Sequence, residues 1–310
     1  MNSVFKPLTI GVSTSALFDL REEHQVYLSA GIETYRRLQF DRRYDAMKPG
    51  TAFDVIRKLL AINKKDERPR VEVALISRND VETGLRARYS LEHHGLDVPR
   101  IALTGGKPVE ANLLRAYGID LFLSRDATDV QRAVDGDIAA AILHDPPTEK
   151  TTGKEGKVHF AFDGDQVLFG GDSEAVFQKD GLLGFMKYET EMAEIPMPEG
   201  PFARALFVIE ALKATFPKDA CPIETSLVTM RSGNAQIRPM NTLIEWGNIV
   251  DGAYMIGRSA PDGQKYQKVD VLAAIGADLF FDDQTYHTEP ASRVVPSGYV
   301  PQKSSHKTTA

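Results

Sequence analysis

Nine short apolar or β-branched runs punctuate this chain, and helix-forming segments lie between them. PLTIGV, VEVALIS, RIALTG, DLFLS and AAAILH fall in the first half, and VHFAFD, TSLVTM, AYMIG and DLFFDD in the second. Strands that alternate with helical patterns predict parallel sheets joined by crossover helices, an α/β architecture. Residues 52–65 (AFDVIRKLLAINKK) and 203–216 (ARALFVIEALKATF) carry apolar side chains at i, i+3, i+4 and i+7. That spacing predicts amphipathic helices able to cover such sheets.

The order of these runs repeats, which is the first thing to test in any long sequence. YGIDLFLSRD (117–126) aligns without a gap on IGADLFFDDQ (275–284), setting Ser124 and Arg125 against Asp282 and Asp283. TIGVSTSALF aligns on HFAFDGDQVLF with one extra residue in the second copy, and sets Ser13 and Ser15 against Asp163 and Asp165. KPGTAFDVIRKLLAIN precedes VALISRN much as PEGPFARALFVIEALK precedes SLVTMRS, which pairs Ser77 with Thr229. The expectation is two tandem, related Rossmann-like units with parallel sheets, 1–150 and 151–300, then a flexible tail over 301–310. The boundary falls in DPPTEKTTGKEGK (145–157). The plainer alternative is that two Rossmann-like halves share a strand-helix rhythm without common origin.

A length of 310 residues suits two ordinary domains, and 42% hydrophobic with 26% charged residues is a soluble globular composition. The net charge of -6 argues against binding a nucleic acid polymer or an anionic membrane, since both need a basic face. No apolar stretch approaches the roughly 20 residues that span a bilayer. Cys221 is the one cysteine, and no Cys/His cluster has zinc-ligand spacing, so a cytoplasmic setting is expected.

In parallel α/β sheets the loops beyond the carboxyl ends of the strands converge on one edge. VHFAFD ends at Asp163, SLVT at Thr229, and DLFF at Asp282 and Asp283. Carboxylates crowded there repel unless a cation neutralises them. Oxygen-only ligands suit magnesium, which commonly binds one or two carboxylates plus a substrate phosphate. A carboxylate beside such an ion can attack phosphorus and form an aspartyl-phosphate, and Asp163 is placed to do so. Asp165 is the candidate to protonate the leaving alkoxide and then deprotonate water, with Gly164 turning the backbone between the two acids. Phosphoryl transfer also needs charge stabilisation, for which Thr229 and Lys268 are the candidates. Alone, D-x-D reads as a solvated turn; its company after apolar strands gives it weight.

FDGDQVLF, LVTMRS, an upstream lysine and FFDDQ resemble the four motifs of the haloacid dehalogenase-like phosphatase superfamily. More closely, IGVSTSALFDL, EEHQVY, AGIETY, ALTGGK, AFDGDQVLF with DSE, LVTMRS, EWG and FFDDQ resemble the cytosolic 5'-nucleotidase I family, including its bacterial members, over residues 8–287. The resemblance implies magnesium-dependent hydrolysis of nucleoside 5'-monophosphates, AMP among them, in the C-terminal unit. It implies Asp163 as nucleophile, Asp165 as general acid and base whose carbonyl also meets the metal, and Thr229 as the phosphate-binding hydroxyl. Asp282 and Asp283 complete a metal set with Asp163 and Asp165. Lys268, 14 residues before Asp282, matches the superfamily lysine, with Lys265 an alternative because SAPDGQKYQK is longer than the usual loop.

Other polar residues carry two readings each. Arg231 and Ser232 suit phosphate or ribose binding, or helix capping and solvent pairing. Arg238 suits a ligand contact or a surface ion pair. Asp172 and Glu174 read as helix caps ahead of polarising groups, Trp246 as packing ahead of base stacking, and TGGK (104–107) as a turn lacking the full phosphate-loop pattern. In the first half, Ser13, Ser15, Ser77 and Asn79 cannot supply an aspartyl nucleophile, so that unit is expected to be catalytically silent. It could serve as a cap, a source of base contacts, a nucleotide effector site or a packing surface. Three functions stay in view: a 5'-nucleotidase, a phosphatase of another phosphomonoester such as a sugar phosphate, and a nucleotide-binding module without turnover. Homo-oligomer formation is a further option.

Overall fold

A strand covered on both faces is buried along its whole length and reads as a largely apolar run, and the runs that open the two halves meet that condition. β1 (Leu8–Val12) is buried throughout in the computed structural model, which describes residues 6–65, 68–149, 153–247, 249–257 and 266–304. The equivalent run of the second half, Val158–Phe162, is buried at each position too. The chain divides into two compact units, residues 1–146 with 303–310, and residues 147–302. The division falls between Pro146 and Pro147.

In the first unit β1 is joined by β2 (Val71–Ser77), β3 (Arg100–Leu103), β4 (Leu121–Ser124) and β5 (Ala139–Leu143). All neighbours are parallel, in the order β3-β2-β1-β4-β5. Ile10 lies between Val73 and Leu121. Ile76, Phe122, Val130 and Val134 pack in the core on one face. In the second unit the strands are β6 (Val158–Phe162), β7 (Ile223–Thr229), β8 (Gly252–Met255), β9 (Leu279–Asp282) and β10 (Ser297–Tyr299). They are again all parallel, in the order β8-β7-β6-β9-β10. Each unit thus starts at its middle strand, adds two neighbours on one side and two on the other. The crevice where that order reverses is where ligands bind in open α/β sheets. In the second unit it opens between β6 and β9.

Two long helical stretches escape the apolar periodicity, Arg21–Asp41 and Asp172–Glu191. Each is two arms, because Gly31 (φ 80) and Gly181 (φ 65) take left-handed backbone that interrupts the helix. The amphipathic segments near 52 and 203 are the helices Phe53–Ala61 and Ala203–Lys213. The part of the expected tail that is described is tied down: Ser304 Oγ donates to Asp135 (2.7 Å), and Lys303 pairs with Asp137. No helix among the described residues is long and apolar enough to cross a membrane.

The loop that carries the D-x-D acids is fixed from below by Gly200. Its N–H donates to the Leu168 carbonyl at 2.8 Å, and Phe202 N–H reaches the Val167 carbonyl at 2.9 Å. A Cβ on Gly200 would stand 2.5 Å from the carbonyl oxygens of both Phe169 and Val167. Backbone atoms on both sides leave no flexible neighbour to yield. Gly200→Ala is therefore expected to lower stability by at least about 2 kcal/mol in urea unfolding, as overpacking does. Gly171→Ala is the control, with its nearest neighbour at an ordinary 3.5 Å. Equal effects for the two would overturn the steric account.

Candidate active site

The end of β6 is locked to β9 where Asp163 N–H donates to the Phe281 carbonyl at 2.8 Å. Phe281 precedes Asp282 and Asp283, so this one bond brings acids far apart in sequence to one crevice. Lys268 opens the helix Lys268–Ile275 that leads into β9, and it is 2% exposed. Its Nζ donates to Asp163 Oδ1 (2.6 Å) and to Asp282 Oδ2 (2.7 Å). The other Asp282 oxygen accepts from Gln284 N–H at 2.9 Å. Lys265 lies outside the described residues.

Asp283 Oδ2 accepts from Gln166 Nε2 at 2.8 Å, whereas its Oδ1 is buried with no hydrogen-bond partner among the described residues. Ligand oxygens of Asp163, Asp282 and Asp283 lie within 4.8 Å of one another. Burial, reinforced by the neighbouring acids Asp282 and Asp165 and opposed by Lys268, pushes the Asp163 carboxyl up to about 7. Burial, with the charges of Asp163 and Asp282, pushes Asp283 up to about 8. Burial alone would lower Lys268, but the facing charges of Asp163 and Asp282 outweigh it and raise its pKa. One lysine beside two buried acids and a half-buried third leaves this cluster short of positive charge. These three carboxylates could hold a divalent cation.

Asp165 stands apart from them. Its carboxylate accepts two bonds from the buried Arg231, from Nε at 2.9 Å and Nη2 at 2.7 Å. The remaining amino group of Arg231 reaches Glu189 and the Ala235 carbonyl. Arg231 therefore neither caps a helix nor pairs in solvent; it orients the second acid of D-x-D. Left-handed backbone in this turn belongs to Gln166 (φ 60), not to Gly164. Gly164 is needed for space, since a Cβ would come within 3.3 Å of Leu227 and Phe169.

Thr229 ends β7, and its Oγ1 accepts from Arg231 N–H at 3.3 Å. Its side chain lines a cavity of about 330 Å³ with Asp163, Asp165, Ser232 and Lys268. A cavity of about 850 Å³ opens beside it, lined by Phe177, Tyr266, Lys268, Asp283, Tyr286 and His287. Burial, helped by the Lys268 charge, drives His287 down to about 3, so the imidazole is neutral at ordinary pH.

The structure brings together Asp163, Asp165, Thr229, Lys268, Asp282 and Asp283, with Arg231 and Ser232 at the same crevice. It moves Arg238 and Asp172 away from their expected roles and leaves Trp246 in the packing role expected of it. Arg238 is 1% exposed and bonds Asp172 (3.0 Å), Glu189 (3.3 Å) and the Ile195 carbonyl (2.9 Å), so it is a buried ion pair, not a surface one. Asp172 serves Arg238 and Tyr188; the cap of its helix is Gly171, with no side-chain cap bond. Trp246 packs between Phe169 and Phe207, with ring centroids 5.5 and 5.3 Å away. Glu189, Gln166 and His287 were not foreseen. Only the count of four residues from Asp283 to His287, one helical turn, hints at the last.

Buried acids and one lysine at the switch point of a parallel sheet define an α/β protein with an acidic strand-end site. Comparison with known proteins agrees with that class: residues 1–307 match the family described as 5'-nucleotidase, and the chain belongs to it. It is 32% identical to human (Homo sapiens) cytosolic 5'-nucleotidase 1B over 299 residues, which is 93% of this chain and 47% of that protein. The chain thus spans about half the length of this curated relative. No solved structure matches it.

Glu189 is fully buried and serves both Arg231 and Arg238. Removing its charge leaves each buried guanidinium with one acid, Asp165 or Asp172, in place of two, and breaking a buried pair costs up to about 3–5 kcal/mol. Glu189→Gln is expected to show a loss of that order in chemical denaturation. Glu191→Gln, exposed on the same helix, should stay within about 0.5 kcal/mol. A Glu189→Gln variant as stable as the parent would show that the pairing carries no weight.

Proposed function

We propose that the C-terminal unit is a magnesium-dependent 5'-nucleotidase that hydrolyses nucleoside 5'-monophosphates, AMP among them, through an aspartyl-phosphate on Asp163. The two units are read as related copies, the N-terminal one catalytically silent. The observation that carries this reading is the bridge from Lys268 to Asp163 and Asp282, beside an Asp283 oxygen that is buried and unpaired. Family membership supports the substrate class.

Three carboxylate oxygens in one small space suit a hard cation that prefers oxygen ligands. Asp163, Asp282 and Asp283 would hold it, with the Asp165 carbonyl. When bound, magnesium would neutralise the phosphate and the charge developing on it.

The residues then divide the work. Lys268 and the Thr229 hydroxyl hold the phosphate oxygens as charge develops. An Asp163 carboxylate oxygen attacks phosphorus, and the bond from phosphorus to the ribose 5'-oxygen breaks. Asp165 gives its proton to that oxygen and the nucleoside leaves. Asp165 then takes a proton from water, whose oxygen attacks phosphorus and frees Asp163 and inorganic phosphate. Arg231 sets the position from which Asp165 acts. The aromatic side chains Phe177, Tyr266 and Tyr286 of the wider cavity suit a planar base.

Purified protein with magnesium is expected to release phosphate from nucleoside monophosphates, and a chelator should abolish the release reversibly. Asp163→Asn should lower the rate at least about a thousandfold, with circular dichroism unchanged. If no nucleoside monophosphate yields phosphate, the reading fails. If sugar phosphates are turned over faster, only the substrate class falls.

A further inference from the structure

The first unit holds a cavity of about 570 Å³ at the same strand ends. Six of its lining residues stand at the positions of residues that form the second unit's site. Ser13, Ser15, Ser77 and Asn79 stand where Asp163, Asp165, Thr229 and Arg231 stand, and Ser124 and Arg125 replace Asp282 and Asp283. Local bonding is preserved as well. Ser77 Oγ accepts from Asn79 N–H (3.3 Å) as Thr229 accepts from Arg231, and Ser124 Oγ accepts from Asp126 N–H (3.1 Å) as Asp282 accepts from Gln284.

The four acidic positions all change charge in one direction, whereas Arg231 gives way to the neutral Asn79. Four carboxylates give way to three hydroxyls and one guanidinium. Ser13, Ser77 and Ser124 are buried, and each oxygen already accepts a backbone N–H, from Ala16 (3.2 Å) in the case of Ser13. The protons of Ser77 and Ser124 are thus left to offer, and Ser13 and Ser15 share one bond (Oγ to Oγ 3.3 Å) in which either can donate, leaving the other's proton; such strand-end donors facing one space suit an anion. Arg21, Arg78 and Arg125 line the same cavity, together with Asp126, Asp129 and Asp145. Each is steadied by acids: Arg21 by Asp19, Arg78 by Asp126 and Asp129, and Arg125 by Asp145. A guanidinium carries five N–H donors, and Arg125 spends one nitrogen on Asp145, so its fork retains donors for a second anion.

The other wall is aromatic. Tyr27 and Tyr35 meet edge to face at 6.1 Å, as Phe177 and Phe185 do at 6.1 Å in the second unit, and His24 stacks on Tyr27 at 5.8 Å. The volume falls in the range of small-molecule sites and far exceeds what a bare phosphate needs. We infer that the first unit binds a nucleotide at this cavity without a metal and without hydrolysing it. Arg125 and the strand-end hydroxyls hold the phosphate, and Tyr27 with His24 faces the base. The choice of a nucleotide rests on the nucleotide reading of the second unit; the metal-free anion site rests on the first unit alone.

The test is calorimetric titration of the full chain with AMP in excess chelator, where the second unit has no metal. Binding is expected that Asp163→Asn leaves in place and that Arg125→Glu and Tyr27→Ala each weaken at least tenfold. Tyr27 is partly exposed, so its variant should keep the parent's melting temperature. Undiminished binding in both variants, or no binding to the parent, would overturn the inference. Inorganic phosphate binding as tightly as AMP would overturn the nucleotide assignment. Phosphate release, measured with magnesium on the same preparations, separates the two readings. Binding without turnover sinks the hydrolytic one alone, and turnover without this binding sinks only the present one.

Discussion

The second unit depends on one buried ammonium shared by two carboxylates. Taking an ion out of water costs several kcal/mol unless a partner compensates it. Lys268, Asp163 and Asp282 are each nearly inaccessible, so none is tolerable without the others. The parallel pairing of β6 with β9 delivers the two acids, and the helix leading into β9 delivers the lysine. The set is not balanced, however. Asp283 adds a third acid with an unpaired oxygen, and the excess negative charge is the electrostatic basis for expecting a cation.

A second charge network orders what surrounds the first. Glu189 joins Arg231, which grips Asp165, to Arg238, which grips Asp172 at the start of the same helical stretch. The two helical arms are held by ion pairs where apolar packing is sparse: Leu182 and Leu183 at the bend are exposed. Position of the Asp165 carboxylate thus depends on a residue 24 places along the chain. The first unit uses the same device with the acid moved. Arg86 bonds Glu23 and Gln39, whereas Arg238 has Glu189 where Gln39 stands and Ser173 where Glu23 stands.

What the chain shows before folding follows from how local each signal is. Apolar runs that end in acids are contiguous, so the strands and the acids Asp163, Asp282 and Asp283 were readable. Lys268 was readable through motif order. Pairings across space were not: nothing near Glu189 announces two arginines, and Arg231 and Arg238 looked like surface or ligand groups until their burial was known. The arms of Arg21–Asp41 and Asp172–Glu191 were hidden because exposed arms carry no strong apolar stripe. Three residues, Ser297–Tyr299, are too short a run to register as a strand. Glycine in D-G-D suggested a sharp turn between the acids, yet crowding by Leu227 and Phe169 explains it and the left-handed residue is Gln166.

Two units with one strand order and opposite strand-end charge separate what a fold provides from what its side chains decide. Backbone geometry gives both the same crevice, the same hydroxyl-to-N–H turns and the same crossed aromatic pair. Chemistry diverges at four positions. Under the proposed function, carboxylates at 163, 165, 282 and 283 make a negative pocket that a phosphate enters only with cations to neutralise it, and one of them provides the attacking oxygen. Under the inference drawn for the first unit, serines at 13, 15 and 124 with Arg125 would accept an anion directly, and they offer no carboxylate at those positions to attack it. A serine hydroxyl without an adjacent base is a poor nucleophile. On these two readings, the substitution that opens the first crevice to phosphate is the same one that removes its means of cleaving it.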